Sequence, residues 1–227
     1  GGDSQGAVWM GGAAPVVSPQ GDIWVSTGNG SVHSASGGYD DSDGLLEISP
    51  TMHLVQFFAP TSWPQNNASD LDMTMEPVLL ANNQVLLAGK SRIVYLLNAA
   101  HLGGIGNGEA TQASGCAGDM NGGTAVVGSL VYMPCSNGLV AMRVLHSPAA
   151  LRIVWHTGVG GGPPIVAAGL LWTIGQDGTL YGLNPTSGVV RVTVRVGAPA
   201  NHFATPSVGD GLLLVPIANQ VVAFPAT

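Results

Sequence analysis

The sequence predicts an all-β protein, a β-propeller of four-stranded antiparallel blades, with about four and a half blades in its 227 residues. Three observations lead to this. Turn-forming residues are dense and scattered, 34 Gly and 15 Pro with no fixed period, which excludes collagen and coiled coils. Apolar runs are short and closed by turn signals, and no window keeps a helical period. The same run-and-turn unit also recurs along the chain at the spacing of a propeller blade, roughly 40–50 residues.

A first copy opens at Pro15 and reads P-V-V-S-P-Q-G-D-I-W-V-S-T. The second spans residues 77–98, with two apolar strands on either side of Gly89-Lys90-Ser91-Arg92. The third spans 124–143 and turns at Ser136-Asn137-Gly138, and the fourth spans 164–184 and turns at Gln176-Asp177-Gly178. The stretch Val189–Val194 supplies the fourth strand of that unit. The anchors Pro77, Thr124, Pro164 and Pro206 lie 47, 40 and 42 residues apart. The fifth copy, Ala204–Phe224, offers only two clear strands, so the array is incomplete. Residues 1–227 therefore read as a single propeller domain, either a small closed ring or, as the resemblance given below favours, the C-terminal part of a larger one. Missing N-terminal blades, a homo-oligomer or another chain would complete it, because open sheet edges this apolar aggregate.

Composition narrows the partners. Hydrophobic residues make up 45% and charged ones 8%, the reverse of a disordered chain. No uninterrupted apolar stretch is long enough for a membrane span. The net charge is −7 with six Lys and Arg in all, too few to displace counterions from nucleic acid. Residues 1–120 carry eleven acids against Lys90 and Arg92, a balance that suits either a cation site or plain solubility. The chain opens at Gly1 without a charged-then-apolar leader, so an export signal is expected to be removed or absent. Cys116 and Cys135 are the only cysteines and sit outside any zinc-site pattern. One precedes a blade's first strand and the other ends its second, so a disulfide is expected over two buried thiols. Closing that loop contributes roughly 3 kcal/mol. An oxidising, extracytoplasmic setting follows, whether secreted, periplasmic or at the cell surface.

The unit Gly178-Thr179-Leu180-Tyr181-Gly182-Leu183-Asn184-Pro185-Thr186-Ser187-Gly188 resembles the repeat of pyrroloquinoline-quinone (PQQ)-like propellers, in particular those of exported bacterial proteins. That class includes eight-bladed quinoprotein alcohol dehydrogenases and non-catalytic scaffolds of the bacterial envelope. Four positions extend the resemblance. Val8-Trp9 resembles the pair whose indole forms the floor under the quinone. Thr27-Gly28-Asn29-Gly30-Ser31 is similar to the strand end whose Asn binds calcium beside the quinone. Ser69-Asp70-Leu71-Asp72 resembles the motif carrying the catalytic Asp, with Ser69 where the family has Trp. Lys90-Ser91-Arg92-Ile93-Val94-Tyr95-Leu96-Leu97-Asn98 is similar to the segment whose cation contacts the quinone oxygens, with Ser91 in place of the usual Asn.

The resemblance thus implies Trp9, Asn29 and Lys90 as cofactor-binding residues, Asn29 as a metal ligand, and Asp70 as the catalytic residue of a quinoprotein. The residue types suit that chemistry. A planar quinone stacks on an aromatic face, calcium takes hard oxygen ligands, a carboxylate accepts the alcohol proton, and a cation stabilises a developing oxyanion. Each residue also has a plain structural reading: a core aromatic for Trp9, a turn for Asn29, loop capping for Asp70 and Asp72, a solvated strand-end charge for Lys90. The glutamate that completes the calcium site and the adjacent cysteine pair of the enzymes are not found, and their blades would precede Gly1. The Asp40–Glu47 acids resemble half a calcium loop but lack EF-hand spacing. Two functions stay open, an extracytoplasmic binding or structural module needing no cofactor, and a quinoprotein dehydrogenase, or fragment of one, oxidising an alcohol or sugar with PQQ and calcium. The first is preferred, since two of the four motifs depart from the enzyme pattern.

Overall fold

The computed structural model describes residues 7–197 and 200–226. The chain divides into two compact units: Gly1–Ser114 with Leu145–Leu151, and Gly115–Val144 with Arg152–Thr227.

The first unit opens with an antiparallel meander, β1 (Val16–Val17), β2 (Ile23–Ser26), β3 (Leu45–Ile48) and β4 (Leu54–Ala59). A short helix α1 (Trp63–Ser69) follows, then a second meander of β5 (Val78–Leu80), β6 (Gln84–Ala88) and β7 (Ile93–Asn98). The two-residue β8 (Gly104–Ile105) adds in parallel to β4, and β9 (Glu109–Ser114) completes the second sheet beside β7. Trp24, Leu45, Phe58, Met73, Val85, Leu87, Tyr95, Leu97 and Leu102 form one buried cluster between these sheets. Strand β6 is buried at every position, which explains why Gln-Val-Leu-Leu-Ala reads as a continuous apolar run rather than an alternating one.

The second unit repeats the meander. One sheet comprises β10 (Ala125–Val127), β11 (Leu130–Cys135), β12 (Gly138–His146) and β13 (Ala149–Thr157), in that order. Another comprises β14 (Ile165–Ala167), β15 (Leu170–Ile174), β16 (Thr179–Leu183) and β17 (Val190–Arg195). The last holds β18 (Ser207–Gly209), β19 (Leu212–Ile217) and β20 (Gln220–Pro225). Its first two hairpins after β10 and β14, and the one after β18, are two-residue turns. Ala168-Gly169 and Asp210-Gly211 both have φ above zero at each position, the form that matches strand twist. Tyr132, Leu139, Ala141, Trp155, Leu171 and Leu183 form one core cluster, and Trp172, Ile174, Leu180, Leu213, Val215 and Ile217 another.

Four sheets have four strands or more and the fifth has three, in line with the expected four and a half blades. The fifth has one strand more than the sequence signalled. Strand β18 is Ser-Val-Gly, exposed at all three positions, so it carries no hydrophobic alternation to detect. Helix α1 was also unsignalled, being seven residues with Pro64 in its first turn. Cys116 and Cys135 form the expected disulfide, with a Cα–Cα distance of 6.4 Å, tying the segment ahead of β10 to the end of β11. No helix among the described residues is long and apolar enough to cross a membrane.

Candidate functional site

Three chain segments of the first unit bring four singled-out residues together. Strand β2 runs on past Ser26, whose hydroxyl donates to the Met75 carbonyl at 2.6 Å. The Thr27 and Gly44 backbones are joined, and the Gly28 amide donates to the Ala7 carbonyl at 2.9 Å. This brings Trp9 beside Gly28. A Cβ at Gly28 would lie 2.6 Å from Asp72 Oδ1 and 2.9 Å from Trp9 Nε1, so only glycine lets these groups approach.

The second segment is the end of α1. Asp70 stops the helix in the left-handed conformation, φ 56°, with its amide donating to the Asn66 carbonyl. The turn throws Asp70 outward, its side chain 77% exposed, and Asp72 inward, 7% exposed. The third segment is the β6–β7 turn. The Lys90 amide donates to the Asp72 carbonyl at 2.9 Å. A side chain at Gly89 would collide with the same Asp72 carbonyl.

These anchors produce one connected network. Lys90 Nζ donates to Asp72 Oδ2 at 2.5 Å and to Asp70 Oδ1 at 3.0 Å. The Asn29 amide donates to Asp72 Oδ1 at 2.7 Å, and Asn29 Nδ2 donates to Asp70 Oδ1 at 2.8 Å. Lys90 Nζ also lies 5.4 Å from the Trp9 ring centroid, within cation–π reach. Burial pulls the Lys90 pKa down, but the hydrogen bonds and charges of Asp72 and Asp70 outweigh it and hold the ammonium above the ordinary lysine value. The hydrogen bond from Lys90 holds the Asp70 carboxyl below its usual range, against a smaller opposing effect of desolvation.

Trp9, Asn29, Asp70 and Lys90, chosen from sequence at separations of up to 81 residues, thus share one cluster. The structure adds Asp72 as its buried centre, which the sequence flagged only as a loop residue. It also adds Asp43, wholly buried behind the cluster. The Asp43 carboxylate has no well-formed hydrogen bond. Burial, then the charges of Asp72 and Asp40, push its pKa up to about 8, and the Met73 amide and Lys90 do not offset this. Asn67 is a further member: its Oδ1 accepts from the Gly30 amide and its Nδ2 donates to the Val32 carbonyl and Ser42 Oγ.

The arrangement fits PQQ and calcium only in part. Asn29 Oδ1 is buried with no hydrogen-bond partner, the kind of acceptor a hard cation would use. Against this, Lys90 sits over the indole face that a stacked quinone would need, and both carboxylates are already engaged by Lys90 and Asn29. No group of three or more His, Cys, Asp or Glu among the described residues is arranged to hold a metal ion. As it stands Asp70, Asp72 and Lys90 are engaged with one another, while Asn29 Oδ1 and the Asp43 carboxyl are buried without a hydrogen-bond partner.

No protein-family model matches this sequence, and no curated protein matches it either. Solved structures do share its fold. BamB from Moraxella catarrhalis superposes with a TM-score of 0.67 at 14% identity, over 94% of this chain and 60% of that one. The computationally designed Ika8 protein gives 0.62 at 8% identity, over 93% of this chain and 57% of that one. The chain spans about three fifths of the length of each. Identities this low speak to fold alone, and with the repeated four-stranded sheets they make the fold a β-propeller.

Proposed function

We propose that the chain is a PQQ-like β-propeller of the exported bacterial type that works outside the cytoplasm as a binding or structural module. The observation that carries this reading is the Lys90–Asp72–Asp70–Asn29 network, in which the ammonium and both carboxylates already engage one another. It spends the charges that a quinoprotein would use on its cofactor in holding the β2 extension, the end of α1 and the β6–β7 turn together. The Cys116–Cys135 bridge supports the extracytoplasmic setting. Residues 1–227 are read as one propeller domain, which further blades, another copy or a different chain would complete.

Titrating the purified chain with PQQ in millimolar calcium, followed by the quinone absorbance and by Trp fluorescence, tests this. The module reading expects no saturable change and no dye reduction with alcohols or sugars. Saturable binding that Trp9→Ala abolishes would overturn it.

A second reading, a quinoprotein dehydrogenase or part of one, is favoured by the convergence of Trp9, Asn29, Asp70 and Lys90 and by the unpartnered Asn29 Oδ1. In that reading Trp9 would underlie the cofactor, Asn29 would ligate calcium, Lys90 would face the quinone oxygens, and Asp70 or its buried neighbour Asp72 would take the substrate proton. It requires Lys90 to leave the indole.

A further inference from the structure

The Cys116–Cys135 bridge borders a surface cleft of the second unit. The cleft encloses about 290 Å³ and is lined by both half-cystines together with Ala117, Leu139, Ile153 and His156 among others. That volume lies at the lower limit of small-ligand sites, about 300 Å³. The two half-cystines are placed differently. Cys135 is 2% exposed, whereas Cys116 is half-buried in the segment ahead of β10.

Three strand ends build one side of the cleft. Cys135 closes β11 opposite Gly138, the first residue of β12. A side chain at Gly138 would collide with the Thr157 carbonyl, so glycine lets the end of β13 close in and brings His156 to the same cleft. Ala117 and His156 are exposed, and Ile153 is 51% exposed, so the cleft is open to solvent.

The segment that carries Cys116 is anchored without the sulfurs. The Ser136 amide donates to the Asp119 carbonyl at 2.8 Å, and the Asp119 amide donates to Ser136 Oγ at 3.0 Å. Met120, with no exposed surface, forms a bridge pair with Cys135. A side chain at Gly118 would collide with Ser136 and Asn137, so the backbone already lies against the end of β11 there. Opening the S–S bond therefore frees Cys116 locally and leaves the β10–β13 sheet its own register. A solvent-reachable bridge of this kind belongs with the labile disulfides rather than the inert ones.

The lining holds no Asp, Glu, Lys or Arg, which suits an uncharged ligand. We infer that Cys116–Cys135 is a thiol-exchange site of the folded protein, which takes up a small uncharged monothiol as a mixed disulfide on Cys116. The incoming thiolate bonds to Cys116 Sγ and the Cys116–Cys135 bond breaks. Its electron pair leaves on Cys135 Sγ, which then takes up a proton. A second thiolate that attacks the small molecule's sulfur in the mixed disulfide releases Cys116 as a thiol and the two small molecules as their own disulfide. The burial of Cys135 directs the first attack to Cys116.

Incubating the full chain with 2-mercaptoethanol, quenching with acid and mapping the peptides by mass spectrometry tests this. The adduct is expected on Cys116 with Cys135 as a free thiol. Its rate of formation should rise linearly with thiol and stay unchanged by urea below the unfolding transition, as for a reaction that exposes no further surface. Ala117→Phe, which narrows the cleft, should slow it at least fivefold while keeping the wild-type circular dichroism spectrum. The inference is overturned by a rate that climbs with urea along the slope of global unfolding, because only the unfolded chain would then be reached. It is equally overturned by an adduct on Cys135 in place of Cys116, or by a folded Ala117→Phe protein that reacts at the wild-type rate.

Discussion

Asp43 sets the most specific expectation at the scale of single residues. Its carboxyl is wholly buried and its pKa rises from the ordinary aspartate value to about 8. Between those two values the native state binds the proton that the unfolded state has lost. Stability therefore falls as pH rises through that window, with a slope of up to about 1.4 kcal/mol per pH unit from this group alone. Asp43→Asn removes the dependence. Its thermal midpoint should exceed that of the wild type at pH 8, and the two should converge towards pH 4, read by scanning calorimetry across that range. Lys90 gives the opposite expectation. Removing it leaves Asp72, 7% exposed, charged without a cation. Lys90→Ala should lose roughly 3 kcal/mol in urea unfolding at pH 7, the low end for orphaning a buried charge because Lys90 itself is 18% exposed. The Lys90→Ala/Asp72→Asn double variant should recover part of that loss.

This cluster also marks how far sequence reasoning reaches. Trp9, Asn29, Asp70 and Lys90 could be singled out because each lies in a short segment that resembles a quinoprotein motif. Asp72 and Asp43 were not, because their roles depend on which way a loop throws a side chain. Asp70 and Asp72 are two residues apart, yet a left-handed residue at the end of α1 makes one exposed and the other buried. No pattern in Ser69-Asp70-Leu71-Asp72 announces that difference.

At the scale of elements, the blades were legible where turn chemistry was unambiguous. The turns signalled at Ser136-Asn137-Gly138 and Gln176-Asp177-Gly178 fall between β11 and β12 and between β15 and β16, whereas Asp210-Gly211 forms a two-residue turn with both residues at positive φ after a strand, β18, that the sequence did not signal. Ala168-Gly169 makes the same turn with a residue poorly suited to it, Ala168 at φ 49°. A left-handed alanine costs about 1–2 kcal/mol. Ala168→Asn, which tolerates that conformation, should raise stability by roughly 0.5–1 kcal/mol. A thermal midpoint equal to or below the wild type would show that strain is not stored at this turn. The disulfide is the second element-scale device. It ties the approach to β10 to the end of β11 across 19 residues. Reduction should cost roughly 3 kcal/mol by loop entropy, measured as a shift of the urea midpoint in dithiothreitol.

At the scale of the whole molecule, the outermost strands sort by charge. In the four-stranded sheets of the two units the last strand carries a charge: Glu109 on β9, Arg152 on β13, Arg191 and Arg195 on β17. Charges on an outer strand discourage another chain from pairing there. Strand β4 carries none, and it is covered by β8. Strand β20, Gln-Val-Val-Ala-Phe-Pro, also carries none, leaves Val221 66% exposed, and has no outer neighbour among the described residues. In composition it matches β7 and β16, although the covered strands β3 and β12 carry Glu47 and Arg143. An uncharged outer edge of this kind is prone to pairing, so the purified 22.9 kDa chain is expected to self-associate through β20. Sedimentation velocity should show species larger than a monomer at micromolar concentration. Val221→Lys, placing a charge on that edge, should move the distribution to monomer without altering the circular dichroism spectrum. A wild-type chain that sediments as a monomer at every concentration would mean that β20 is protected within its own fold, and that its uncharged composition has another cause.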